Sequence, residues 1–479
     1  MSCTQSSFIQ NKSLHFSIYN IELHSCFDSD KKTTTMKIEI LIIGSGPAGS
    51  SVAMACAKAG KKVAVVDTIF GGTCALRGCT PKRAMEAITS AYWDAKDYEK
   101  AGFPTLTKPV NWHLLQAHQS KFTALVPSKT KSNFKEAGIE VIEGEAVFLD
   151  PHTIAVGKKK ITAEQIVIAT GATPVLLDID GSEYMITSKQ LFELNHIPAR
   201  ITIVGGGYIG FEFAHILTAC GAAVTLVSDQ EEPLGQFDSE LVNQLVQATL
   251  DKGVDVKLGY SAQAVAKTDN SYRVKTKRTD GEIFELEADL VINTAGRKPA
   301  IEKLDVAKIK LEINDKGGLA VDRFLQTTKY EHIHAIGDVT GEFPFTETAS
   351  YDAEILRHNL LQDRRKSVDY TGVPYAIFTH PQVASVGKQA DDIKVKYKTK
   401  EGSLDKAFLQ RVHLNEFAHY KLFIDERTDE ILGAHIIGIG ASEMINVFAM
   451  AMQQKIAAKE IKNFLLVYPT FIQSTKSLV

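Results

Sequence analysis

Apolar runs of strand length recur along the chain, and several are closed by small residues. Ile40 to Ile43 is unbroken apolar sequence that meets Gly44-Ser45-Gly46-Pro47-Ala48-Gly49, followed by the small-residue stretch Ser50 to Ala59. That order predicts a strand, a glycine turn and a helix. A second strand, Val63-Ala64-Val65-Val66-Asp67, ends on a carboxylate about 20 residues beyond the glycines. The same order returns at Ile201-Thr202-Ile203-Val204, which runs into Gly205-Gly206-Gly207-Tyr208-Ile209-Gly210 and then into the strand Ala223 to Ser228. Two further apolar strands, Ile166 to Gly171 and Val291 to Arg297, end in small residues and read as junctions between domains.

Glycines in such a turn let the backbone approach a pyrophosphate, and the N-terminus of the following helix favours its negative charge. One glycine turn is also an ordinary strand-to-helix connection. Two ordered copies point to two nucleotide cradles. The 479 residues suit about three domains. A net charge of −3 without a basic block leaves no basis for nucleic acid or an anionic membrane as partner. No apolar run reaches the roughly 20 residues a membrane span needs. The first 35 residues, rich in Ser, Thr, Asn and charge, lack the plan of a secretory signal and are expected to be disordered, with Met36 a candidate initiator.

Six cysteines (Cys3, Cys26, Cys56, Cys74, Cys79, Cys220) are too few for a disulfide framework in so long a chain, so a reducing, cytoplasmic setting is expected. Two of them stand apart. Cys74 and Cys79 lie just after the first cradle, in Gly71-Gly72-Thr73-Cys74-Ala75-Leu76-Arg77-Gly78-Cys79-Thr80-Pro81-Lys82, where a flavin ring could rest against them. A Cys-x4-Cys loop closes into a disulfide when a turn brings the Cα atoms within about 7 Å. Such a pair stores two electrons. A helix starting near Pro81 would lower the pKa of Cys79. Zinc would need two more ligands at suitable spacing; none is nearby, and no metal site is expected.

Taken together, these residues resemble the flavin-dependent pyridine nucleotide-disulfide oxidoreductases, the family of glutathione reductase, dihydrolipoamide dehydrogenase and mercuric reductase. The resemblance runs from Met36 to the C-terminus. His334-Ala335-Ile336-Gly337-Asp338 matches the family segment whose Asp binds the flavin, with Thr346 and Ala349 in the helix that follows. Phe378-Thr379-His380-Pro381 and Ile431 to His435 look like the opening and central strands of the family's interface domain. The resemblance implies an α/β fold with two doubly wound dinucleotide-binding (Rossmann-like) domains and a C-terminal α+β dimerisation domain. Its divisions are an FAD-binding part at 36–185, an NAD(P)-binding domain at 186–296, a second FAD-binding part at 297–370 and a dimerisation domain at 371–479. The implied cofactors are FAD and NAD(P)H, and the implied assembly is a homodimer.

The residues that match the family's cofactor contacts are Gly44, Gly46, Gly49, Asp67, Gly72, Thr73, Lys82, Thr170, Gly171, Gly337, Asp338, Thr346 and Ala349 around the first cradle. Around the second they are Gly205, Gly207, Gly210, Ser228, Gly296 and Arg297. By the same likeness Tyr208 gates the nicotinamide pocket, Lys82 and Glu212 form a charged pair beside the flavin, Cys79 faces flavin and Cys74 attacks substrate. The C-terminus departs from the pattern. Where relatives that reduce small disulfides carry His-Pro-Thr-x-x-Glu, this chain has Tyr468-Pro469-Thr470-Phe471-Ile472-Gln473, so Tyr468 stands at the acid-base position. Tyrosine titrates near pH 10 and is a donor rather than a base at neutral pH. Arg77 is the cation expected to steady the thiolate in place of imidazolium. Ser477-Leu478-Val479 lacks the Cys-Cys ending of mercuric reductases, and Pro47 and Met54 stand where glutathione reductases hold their peptide. A disulfide acceptor is expected. A quinone, a metal ion or another acceptor is the alternative, and a redox-sensing flavoprotein without catalysis is a third. Ser228-Asp229-Gln230-Glu231-Glu232 offers a 2′-phosphate no cation, which leans to NADH.

Overall fold

The computed structural model describes residues 35–479, so the expectation for 1–35 falls outside the described residues except at Thr35, where the first strand already begins. The first sheet takes β1 (Thr35–Ile43), β2 (Val63–Asp67), β3 (Glu140–Glu143), β4 (Ala146–Asp150), β5 (Thr153–Val156) and β6 (Lys159–Ile168) in the order β3-β2-β1-β6-β5-β4. β1 pairs in parallel with β2 and with β6. Its apolar run is unbroken because both faces are covered. Ile40 and Ile42 pack with Ala48, Val52, Ala53 and Cys56 of α1 (Pro47–Lys58), whereas Leu41 and Ile43 pack with Phe148 and Ile154 on the opposite face. Ile42 is wholly buried, and Ile42→Ala would cost about 2–5 kcal/mol.

β7 (Ala172–Pro174) leads out of this domain. The second domain sets β8 (Arg200–Val204), β9 (Ala223–Ser228), β10 (Asp255–Leu258) and, across an antiparallel sheet of β11 (Tyr260–Lys267), β12 (Tyr272–Arg278) and β13 (Ile283–Ala288), finally β14 (Leu290–Asn293). Its parallel sheet has the order β10-β9-β8-β14. The chain returns through β15 (Arg297–Pro299), which pairs with β7, and β16 (Ile333–Ala335), which joins the first sheet beside β6. The first domain is thus closed by residues from both sides of the second.

The last domain is a five-stranded antiparallel sheet of β17 (Pro374–Ile377), β18 (Gln382–Gly387), β19 (Tyr397–Ser403), β20 (His419–Asp425) and β21 (Ile431–Gly438), ordered β17-β18-β21-β20-β19. β21 is central, as expected. Phe378 to Pro381 is not the opening strand; it is the turn after β17, and its Phe378 N–H is spent on a side chain of the second domain. Among the described residues no helix is long and apolar enough to cross a membrane.

Candidate active site

The first glycine turn is held by contact distances that only glycine permits. A Cβ on Gly44, at φ +108°, would lie 2.2 Å from the Ala169 carbonyl oxygen, and one on Gly49 would lie 2.0 Å from that of Gly44. Gly205 and Gly210 repeat the arrangement in the second domain, where Thr294 replaces Ala169. Gly46 differs, since a Cβ there would have only the Gly72 Cα within reach, at 3.8 Å. Its open side faces a long cavity of about 600 Å³.

That cavity gathers most of the expected residues. Gly44, Gly46, Asp67, Gly72 and Thr73 line one stretch, and Thr170, Gly171, Gly296 and Arg297 another. Gly337, Asp338, Thr346 and Ala349 close it from the returning segment, and Cys74, Cys79, Lys82 and Tyr208 line it too. A neighbouring space of about 220 Å³ is bounded by Gly207, Tyr208, Gly296, Arg297 and Asp338. Arg297 pairs with Asp338 at 2.9 Å. Thr170 Oγ1 is buried against the long cavity with no partner, and Gly46 leaves its side of the wall open; both suit an elongated dinucleotide with polar groups along its length.

Other expected residues are not brought to that wall. Gly49, Gly205 and Gly210 act from inside their turns. Ser228 is buried, its Oγ accepting the Gln230 N–H, and it packs against Gly206 rather than facing either space. Asp67 lines the cavity with all its acceptor capacity in use: Oδ2 takes the Ser45 N–H and hydroxyl, both at 2.7 Å, and Oδ1 takes the N–H groups of Thr68 and Ile69. Ser45, an unspecified place in the glycine pattern, also accepts the Gly71 N–H and so joins the first cradle to the cysteine loop. Only the polar type of the residue hinted at that role. Tyr468 is 72% exposed and is not among the residues that line the long cavity with the thiols.

Cys79 begins α3 (Cys79–Tyr98), two residues before the expected start at Pro81, while Cys74 sits in α2 (Gly72–Arg77). Both are free thiols. The bond between them splits their proton affinities: Cys79 drops to about 6, mainly because Cys74 donates to it, with help from Thr346 and the charge of Lys82 against the effects of burial and Glu212. Cys74 rises above the ordinary thiol range, first through that same bond and then through burial. Cys79 Sγ lies 3.3 Å from Thr346 Oγ1. Lys82 is the cation among the leading influences on Cys79; Arg77 lines the same cavity, and its carbonyl accepts the Ser188 hydroxyl.

Lys82 is paired with Glu212, which is 1% exposed. Burial works against the lysine's charge, but attraction to Glu212 outweighs it and the pKa rises. The other Glu212 oxygen, Oε1, accepts the Phe378 N–H at 2.9 Å, so the third domain's first turn helps hold the pair. Lys82 Nζ also stands 5.3 Å from the centre of the Tyr208 ring. The cation that faces Cys79 is thereby tied to both other domains.

The family model for pyridine nucleotide-disulphide oxidoreductase matches residues 38–353, and the model for the dimerisation domain of that family matches 373–479. A glutathione reductase of Nostoc is 28% identical over 91% of this chain and 98% of its own length. A mercuric reductase of Lysinibacillus sphaericus is 30% identical over 91% of this chain and 81% of its own. Among solved structures, the Cu(II) complex of the HOCl-induced flavoprotein disulfide reductase RclA from Escherichia coli superposes with a TM-score of 0.82 at 27% identity, over 92% of this chain and 98% of that one. With two cradles, a split-affinity thiol pair and both family models in place, the chain belongs to the pyridine nucleotide-disulphide oxidoreductase family and is a flavoprotein disulfide oxidoreductase that uses FAD and NAD(P)H.

Proposed function

We propose that this enzyme carries electrons from NADH to the Cys74–Cys79 pair and on to a small disulfide, with its two sites completed by a second subunit. The divisions at 36–185, 186–296, 297–370 and 371–479 belong to this reading. The observation that carries it is that Cys74 and Cys79 line the same cavity as the glycine turn at Gly44 and Gly46, with Thr346 against Cys79 and the buried Lys82–Glu212 pair beside it. Gly44, Gly46, Gly72, Thr73, Thr170 and Asp338 would hold FAD, which when bound supplies two-electron exchange between nicotinamide and thiols.

The proton accounting follows from the pair itself. As Cys74 sulfur attacks the acceptor disulfide, its proton passes to the neighbouring Cys79 thiolate, and one acceptor sulfur leaves as thiolate. That thiolate recovers the proton from Cys79. Cys79 sulfur then attacks the mixed disulfide at Cys74, closing the Cys74–Cys79 disulfide and releasing the second acceptor thiolate. Lys82 steadies the negative charge at Cys79 before it takes the proton and again once it has given it up. Tyr468 of the second copy would donate a hydrogen bond to a departing sulfur, without acting as base.

NADH is favoured over NADPH because Asp229, Glu231 and Glu232 follow the strand end and no cation there offers itself to a 2′-phosphate. A metal-ion acceptor is the second reading, favoured by the Cu(II) complex of RclA and the likeness to mercuric reductase. Among the described residues no group of three or more His, Cys, Asp or Glu side chains is placed to hold a metal, so an incoming ion would meet the two sulfurs alone. Anaerobic NADH titration separates the functions: uptake of about four electrons per FAD places the thiols in the circuit, and Cys74→Ser should cut it to about two and end disulfide reduction. Undiminished disulfide turnover in Cys74→Ser would sink the reading, while Cu(II) or Hg(II) turnover exceeding that of every disulfide would favour the second.

A further inference from the structure

Asp352 is a buried charge that the thiol chemistry does not use. It lies in the helix Thr346–Leu361 and is 1% exposed. Burial raises its carboxyl above the ordinary range, and among the described residues no cation offsets its charge. Both oxygens are engaged. Oδ2 accepts the Gly337 N–H at 2.9 Å, and Oδ1 accepts the Tyr370 hydroxyl at 2.7 Å. An apolar side chain would fill the space without a desolvation cost, so the carboxylate is worth its burial only for those two bonds.

The two bonds point to different parts of the molecule. Gly337, at φ +71°, precedes Asp338, and both line the long cavity. Tyr370 closes the linker that leads into the dimerisation domain matched from 373. Its ring lies 5.0 Å from Phe343, in the loop between Asp338 and the Asp352 helix. A parallel contact runs the same way: Phe345, on the cavity wall, stacks on Tyr375 of β17 with centroids 5.7 Å apart and planes 4° from parallel.

We propose that Asp352 is a positioning residue that ties the Gly337–Asp338 turn of the flavin site to the entrance of the dimerisation domain through Tyr370. This rests on the reading of Asp338 as a flavin contact. Retention of FAD then depends on a bond made outside the cavity.

The test is the rate at which the holoprotein, diluted into buffer, releases FAD, followed by the rise in free-flavin fluorescence. Asp352→Asn keeps the shape and removes the charge, and should speed release about tenfold, the worth of a charge-assisted bond. Tyr370→Phe should speed it several-fold, and the double variant should release no faster than Asp352→Asn alone, because Tyr370 acts through Asp352. Tyr351→Phe is the matched control: its hydroxyl accepts the Asp369 N–H and links the same helix to the same linker without touching Asp352. It should release FAD at the wild-type rate. Should Asp352→Asn fold poorly, Tyr370→Phe against Tyr351→Phe decides alone. Wild-type release from Asp352→Asn and Tyr370→Phe, with fast release from Asp338→Ala, overturns the inference and leaves the flavin contact standing. Equal acceleration by Tyr351→Phe and Tyr370→Phe also overturns it. Wild-type release from Asp338→Ala removes the flavin contact itself.

Discussion

Two regions of the molecule handle charge in opposite ways. Around Cys79, a single chain supplies everything: a buried Lys82–Glu212 pair, a backbone donor from Phe378, the Thr346 hydroxyl and the Tyr208 ring. The stretch from Phe464 to Gln473 is the reverse, with Leu465 99% and Val467 76% exposed beside Tyr468. It is anchored within the chain through Phe471, whose ring lies 5.5 Å from His413 and against Gly440. The charges around Cys79 are thus closed inside one chain, while the segment that carries Tyr468 is left open at the surface.

The largest effect should come from breaking the closed region. In Lys82→Met, Glu212 remains buried with only a backbone donor, which should cost about 3–5 kcal/mol of stability. Cys79 would lose its cation, so its alkylation midpoint should move up from about 6. Lys82→Met with Glu212→Leu should recover most of the stability and part of the low midpoint, since the charge of Glu212 raises Cys79 and is removed with it. A double variant no more stable than Lys82→Met would show that the pair is not the source of the cost; thermal melting and iodoacetamide rates measure the two parts.

The open region should respond by gain. Tyr468→His with Gln473→Glu restores an imidazole and its carboxylate, and disulfide turnover should rise about 10²-fold with little change in melting temperature. Steady-state kinetics with several disulfides measure it. No gain with any disulfide would place Tyr468 outside the acceptor site and weaken the disulfide reading in favour of a metal ion.

How much of this could be read from the chain follows the same division. The unbroken run at Ile40–Ile43 and the glycines behind it specified a doubly covered strand and a cradle, because both are local and repeat at Ile201–Gly210. Cys79 and Lys82, three residues apart, come to one cavity wall because both stand in the first turn of α3. Arg77 lies two residues from Cys79 and Lys82 three, so spacing alone does not say which cation acts on the sulfur; the charge of Lys82 is among the leading influences on it. Asp352 gave no signal at all, since a single acid in a helix reads as surface until Gly337 and Tyr370 arrive from either side. Phe378 was taken for strand because its donor partner, Glu212, is far away in sequence.

The smallest predicted effect probes the boundary between the two regions. Thr346 reaches Cys79 Sγ at 3.3 Å from the returning flavin segment, a contact that owes nothing to a second subunit. Thr346→Val removes its hydrogen bond, worth about 1 kcal/mol, or somewhat under one pH unit. The sign is fixed by linkage. Cys79 in the folded, reduced protein sits near 6, below the roughly 8.5 of a free thiol, so its thiolate adds stability that is complete above the unfolded value and lost as pH falls through about 6. Thr346→Val should therefore shift the alkylation midpoint upward, and the loss of stability on acidification, which still begins at the unfolded value, should be smaller and be complete at a higher pH. Thr346→Ser should restore both. If the midpoint falls only when the protein dimerises, the thiolate is being steadied across the subunit boundary, and the two regions are not separate after all.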